Sequence, residues 1–189
     1  LIVAIAVAFA ACAAFALVKV HQANVAIRNA QLARLLQTEA ATHAAGKALT
    51  GDVADYSSAY GDEAAGAAKR GDAREQTSSI DRARAANERV ANDLQVIVRA
   101  YSTLYGDAAT QSLRAKAASA HDACARSLDA WARAAGSTRP ADAKPNYLVS
   151  EREDRECGQY GFSVGNELGI LGSRLDADLS STRTSLSVL

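Results

Sequence analysis

The chain predicts an all-α fold: an N-terminal transmembrane helix continuing into an elongated antiparallel up-down-up-down four-helix bundle. Three observations carry that expectation. Aromatic residues make up 5% of the 189 positions and there are two prolines, a composition that favours helix over sheet. Apolar residues recur at three- and four-residue steps through most of the chain. Gly-Asp pairs at 71–72 and 106–107, and a loop holding both prolines, punctuate that periodicity.

The first element is the uncharged run 1–18, closed by Lys19. At about 1.5 Å per residue it spans roughly 27 Å, close to a hydrocarbon core of about 30 Å. Read as an anchor, it offers Leu1, Ile5, Phe9, Phe15 and Val18 to lipid. A cleavable signal peptide is the competing reading, but its apolar core is normally shorter. The alternating alanines leave small faces through which a second membrane helix could approach closely.

The domain proper is expected over 19–189, with helices at about 20–70, 72–105, 107–135 and 147–189. In the first, Val25, Leu32, Leu36, Leu49, Val53, Tyr56 and Tyr60 fall near one stripe, weakened by Glu39, His43 and Gly46. Gly51 and Gly61 are its possible breaks, since Gly disfavours a helix interior by about 1 kcal/mol. Asp72 or Ser79 can cap the second helix. There Ile80, Ala83, Asn87, Val90, Leu94, Ile97, Tyr101 and Leu104 form a coiled-coil-like seam with Asn87 expected at its edge. The third carries Leu113, Ala117, Ala120, Cys124, Leu128, Trp131 and Ala135 on one face. Residues 136–146 read as a loop because they contain Pro140 and Pro145. The fourth continues with Cys157, Tyr160, Val164, Leu168, Leu171, Leu175, Leu179, Leu186 and Leu189. Helices of roughly 75, 50, 43 and 60 Å would bring the chain end back towards the membrane surface.

Cys124 and Cys157 stand symmetrically about residues 140–141, as partners in an antiparallel hairpin do, and both lie on inner seams. They are expected to form a disulfide, which places the domain outside the cytoplasm, periplasmic or at the cell surface. Lys19, Arg28 and Arg34 after the anchor argue for the opposite side. Gly161, Gly165, Gly169 and Gly172, with Gly158, interrupt the last helix at a cost of about 4–5 kcal/mol relative to Ala. A face of glycines permits close packing of another helix, inside the bundle or in a dimer.

Charge and motifs narrow the function classes. Lys+Arg and Asp+Glu are both 21, without the basic excess of a general nucleic-acid binder. Among His21, His43 and His121 none belongs to a Glu-x-x-His pair, so no di-iron site is expected and no cofactor is implied. There is no Cys-x-x-Cys-His haem attachment and no Gly-Lys-Ser/Thr phosphate loop. The runs 69–89 and 151–156 alternate in sign and read as solvated helix faces.

The expectation is therefore a non-enzymatic, membrane-anchored accessory or scaffold subunit of a membrane or envelope assembly. Its partners would be lipid and proteins met by helix packing, in a homo-oligomer or larger complex. In organisation, without any shared motif, the layout resembles bacterial chemoreceptor ligand-binding domains. That resemblance implies a sensor ectodomain with a second membrane helix beyond Leu189. The layout is also similar to pilins, whose apolar first helix runs on as an amphipathic one, although Ile5 stands near where their acidic residue is expected.

Overall fold

The computed structural model describes residues 2–137 and 140–187, and the side chains at 15–61, 63, 64, 66–137 and 143–187. The described residues form helices joined by short turns, with no strand among them. The order is α1 (Ile2–Ser57), a π-helical segment (Ser58–Ala64), α2 (Ala65–Arg70), α3 (Ala73–Tyr105), α4 (Asp107–Ala135) and α5 (Pro140–Ser187). Taken with the π segment and α2, α1 supplies the first helix of a four-helix bundle.

Turn chemistry sets the boundaries. Gly71 ends α2 at φ +72°, a left-handed conformation that glycine adopts without a Cβ penalty. Asp72 follows as N-cap, its Oδ1 accepting from the Glu75 N–H at 2.9 Å. Gly106, at φ +85°, makes the next turn. α5 begins at Pro140, earlier than the 147 expected from its prolines. Proline fits a first turn, whose N–H groups have no helical partner; Pro145, five residues on, lies inside the helix and takes one bond from its ladder.

Two compact units divide the chain. One comprises Leu1–Glu39 with Ser173–Leu189, the other Ala40–Gly172. In the first, Leu35, Thr38, Leu175, Leu179 and Thr182 are buried, and Arg28 donates to the Ser185 carbonyl at 2.8 Å. Here the expected stripe shifts by one position: Leu35 is 2% exposed and Leu36 39%.

The expected anchor over 1–18 is overturned. Among the described residues no helix is long and apolar enough to cross a membrane. Leu1 and the side chains of Ile5 and Phe9 lie outside the described residues. From Phe15, which is exposed like Val18, the run to Lys19 covers about one helical turn, or roughly 6 Å. Beyond it α1 carries charge at intervals. The lipid partner and the membrane-anchored placement lose their basis with the anchor. So do the envelope-subunit, sensor-ectodomain and filament readings, all of which began from that helix.

One buried cluster of the second unit lies at the end with the Gly71 turn. Ala59, Tyr60, Ala64, Ile80, Ala83 and Leu128 are buried in one cluster, with Tyr56, Trp131, Ala132 and Ala135 packed against it. The Tyr60 hydroxyl shares hydrogen bonds with Ser127 Oγ (2.8 Å) and Ser150 Oγ (3.0 Å), and Ser127 Oγ donates to the Ser150 carbonyl at 3.0 Å. Three helices are thus tied through one buried polar network. Trp131 meets Tyr60 edge-on at 4.9 Å and Tyr147 at 5.9 Å.

The charge runs are not wholly solvated. Gln76 and Ser79 in the first are buried, and Glu153 in the second is 7% exposed, accepting from Arg126 at 2.7 Å and Arg152 at 2.9 Å. Arg126 first, then Arg152, holds the Glu153 carboxyl below the usual carboxylate range.

Candidate functional site

The middle of the second unit differs from that core. Each of four helices contributes small or apolar residues at helical spacing to one cleft of about 220 Å³. α1 supplies Leu49, Val53 and Tyr56; α3 supplies Asn87, Val90, Ala91 and Leu94. α4 adds Ala117, Ala120, His121 and Cys124, and α5 adds Cys157, Gly161, Val164, Gly165 and Leu168. Protein interiors are close-packed, with few voids larger than a water molecule. An apolar cavity of about 150 Å³ engineered into another protein takes benzene, and drug-sized pockets begin near about 300 Å³. This cleft falls between the two.

Small residues make the space. A Cβ built at Gly161 or Gly165 would meet nothing within 4 Å, and Ala91, Ala117 and Ala120 leave the opposite walls shallow. Both glycines and Val53 are exposed, so the cleft opens between α1 and α5. On the expected glycine face Gly169 is equally open, whereas a Cβ at Gly172 would make an ordinary contact with the Tyr101 hydroxyl at 3.9 Å.

The cystine forms part of the wall. Cys124 and Cys157 are disulfide-bonded with Cα atoms 5.0 Å apart, joining α4 to α5 as the hairpin symmetry predicts. Asn87, expected at the edge of its seam, is buried instead, and its Nδ2 donates to the His121 carbonyl at 3.1 Å. That bond gives a polar side chain a reason to stay inside. His121 reaches Glu88 (3.1 Å) and Asp122 (3.4 Å) and lines both the cleft and a more polar groove of about 510 Å³ between α3 and α4.

Tyr56 stands at the border between core and cleft. Its ring stacks on Tyr60 at 5.7 Å, but its hydroxyl is buried without a hydrogen-bond partner among the described residues. Burial first, then the negative charge of Asp154 and the neighbouring Tyr60, pushes the Tyr56 phenol well above its ordinary range. The adjoining π segment, with i→i+5 pairing, lets about one extra residue into a turn; such turns are frequent at functional sites.

No group of three or more His, Cys, Asp or Glu among the described residues is placed to hold a metal ion. Residues 161–165 read Gly-Phe-Ser-Val-Gly, a match to the hydrolase nucleophile pattern Gly-x-Ser-x-Gly. A nucleophile elbow needs a sharp strand-to-helix turn, whereas Ser163 lies inside α5 and donates to the Gln159 carbonyl at 3.0 Å. No protein-family model, curated protein or solved structure matches the chain.

Proposed function

We propose that the chain is a non-enzymatic binding module that takes a small, mainly apolar molecule into the cleft between α1, α3, α4 and α5. The observation that carries this reading is the cleft itself: about 220 Å³ of apolar space, kept free where Gly161 and Gly165 stand. A glycine inside a helix costs about 0.5–1 kcal/mol relative to alanine, and neither position has a steric or positive-φ requirement for it. Vacancy is then what the two residues provide. The disulfide holds two of the walls together, so the space need not form anew when a ligand arrives.

The test is a thermal-melt titration of the full chain with toluene, cyclohexane and indole. Binding to the folded state alone raises Tm with ligand concentration. Gly165→Leu, whose side chain would occupy the cleft, should abolish the rise while the variant stays folded. No shift with any of the three, or an undiminished shift in Gly165→Leu, overturns the reading.

A protein partner on the outer face of α5 is the second reading. Phe162 is 73% exposed and Ile170 64%, two large apolar side chains on α5 that a partner could cover. Sedimentation of wild type beside Phe162→Ser tests it, with loss of self-association in the variant as the expected result. A monomeric wild type rules out the homo-oligomeric form of this reading.

A further inference from the structure

We infer that the cystine is a redox gate on the cleft: reducing Cys124–Cys157 releases the bound molecule, and a bound molecule in turn resists the reduction. This rests on the cleft being a binding site and goes on to name its regulation. Cys124 and Cys157 both line the cleft, so an occupant lies against the cystine itself. The bond also stands at a boundary between α4 and α5. On its Gly71 side the two helices are held by the Ser127–Ser150 hydrogen bonds and by Arg126 with Glu153 and Glu156. On its other side come the small wall residues Ala117, Ala120, Gly161 and Gly165. Beyond these, Lys116 pairs with Glu167, which also accepts from Ser112 at 2.8 Å. The α4 and α5 walls of the cleft are thus clamped at two levels, by a covalent bond and by a partly exposed ion pair.

The two clamps are unequal. A partly exposed ion pair holds long side chains weakly, whereas a disulfide fixes the distance between two backbones. In a close-packed section, side-chain contacts would keep the helices in place after the bond is cut. Here they are thin, because a Cβ at Gly161 or Gly165 would meet nothing within 4 Å. Cutting the bond therefore frees α5 to move against α4 where the ligand sits, and the preformed space is lost. The reaction is thiol–disulfide exchange with a dithiol. Cys157 offers the more open approach, half-buried beside the exposed Gly158, while Cys124 is 8% exposed. The attacking thiolate bonds to the Cys157 sulfur, the S–S bond breaks, and Cys124 leaves as a thiolate that takes a proton. The second thiolate of the dithiol then displaces Cys157, which is protonated in its turn. Two electrons and two protons pass to the protein, and the dithiol is oxidised to its own disulfide. An occupant that prefers the joined walls opposes this by as much as reduction weakens its binding, because linkage is reciprocal.

The experiment uses the full chain, with the tightest binder among toluene, cyclohexane and indole as probe. In calorimetric titration the probe should bind the oxidised chain about tenfold more tightly than the chain reduced with dithiothreitol. The double variant Cys124→Ser, Cys157→Ser should bind as the reduced chain does and ignore dithiothreitol. Thiols are then alkylated and counted by mass across a series of dithiothreitol redox buffers. At saturating probe the equilibrium constant for reduction should fall by the same factor, about 30 mV to lower potential per tenfold for a two-electron couple. Equal affinity for the two redox forms, or tighter binding to the reduced one, overturns the inference and leaves the binding site standing. Failure of all three compounds to bind the oxidised chain overturns the site as well. Should the reduced chain unfold, the rate at which dithiothreitol reduces the folded oxidised chain decides. Slowing by the probe, at a rate that low urea does not change, supports a local gate. A rate that rises with urea in step with global unfolding sinks it.

Discussion

Tyr56 and Tyr60 lie one turn apart and stack on each other, yet they belong to two kinds of interior. Around Tyr60 every neighbour is filled in: Ile80, Ala83 and Leu128 are almost wholly buried, and the hydroxyl is satisfied twice. Around Tyr56, towards Gly161 and Gly165, side chains stop short and the Tyr56 hydroxyl goes unpaired among the described residues, as Trp131 Nε1 does in the packed cluster. The same four helices build both. The difference lies in the aromatic and glycine positions: Tyr60 and Trp131 fill the Gly71 end, whereas Gly161 and Gly165 on α5 leave space in the middle. A bundle can therefore be anchored by one section of its length and left receptive in another.

The largest expected effect tests whether the anchoring section holds the stability. Leu128→Ala should destabilise the fold by about 4 kcal/mol, because the cluster around it has no space to collapse into without loss. Leu94→Ala, at the cleft, should cost about 2 kcal/mol, since one side of Leu94 already lacks partner atoms. Urea denaturation measures both. Equal costs would mean that the cleft closes in solution and the two sections are alike.

Next comes the cystine. Reducing Cys124–Cys157, which closes a span of 33 residues, should lower stability by about 3 kcal/mol, read from the urea midpoint with and without reductant. If the cleft is stapled rather than packed, amide exchange should rise more at Ala117–Ala120 and 161–168 than around Ser127 and Ser150. Uniform acceleration would indicate one cooperative core.

The tyrosines give the sharpest contrast. Tyr60→Phe should cost about 1–2 kcal/mol, because Ser127 and Ser150 lose a buried partner. Tyr56→Phe should be neutral or slightly stabilising, because its hydroxyl is desolvated with nothing in return. Comparable losses in both melts would show that Tyr56 has a partner in solution.

Much of this architecture can be read from residues, and the failures have physical causes. The α3 seam is legible because its members from Ile80 to Leu104 alternate three- and four-residue steps without glycine; Ile80, Ala83, Asn87, Leu94, Ile97 and Tyr101 are buried, and Val90 and Leu104 half-buried. The disulfide follows from hairpin symmetry. The Leu35/Leu36 pair is ambiguous because adjacent residues differ by about 100° around a helix and both are leucine. Asn87 is misplaced by a polarity argument that lacks the His121 carbonyl across the interface. The anchor rests on hydropathy alone, without the rest of the helix that it leads into. The cleft is the least legible feature. Gly161 and Gly165 stand out in the sequence, but a missing side chain means close packing or open space according to where the other helices run. Neither the period nor the spacing carries that information.

That ambiguity yields the smallest and most discriminating prediction. If another helix were seated on the α5 glycines, a methyl group at Gly161 or Gly165 would be pressed into it, and alanine would destabilise. If the space is open, alanine gains helix propensity and meets no obstacle. With no atom within 4 Å of either Cβ position and no positive φ, Gly161→Ala and Gly165→Ala should each raise stability by about 0.5–1 kcal/mol. The gain should be nearly additive in the double variant, because neither methyl displaces a neighbour. Toluene binding should weaken in the same variants, since each methyl takes up part of the cleft. Higher stability with lower affinity would tie the glycines to binding, whereas lower stability would mean that some partner already occupies the face.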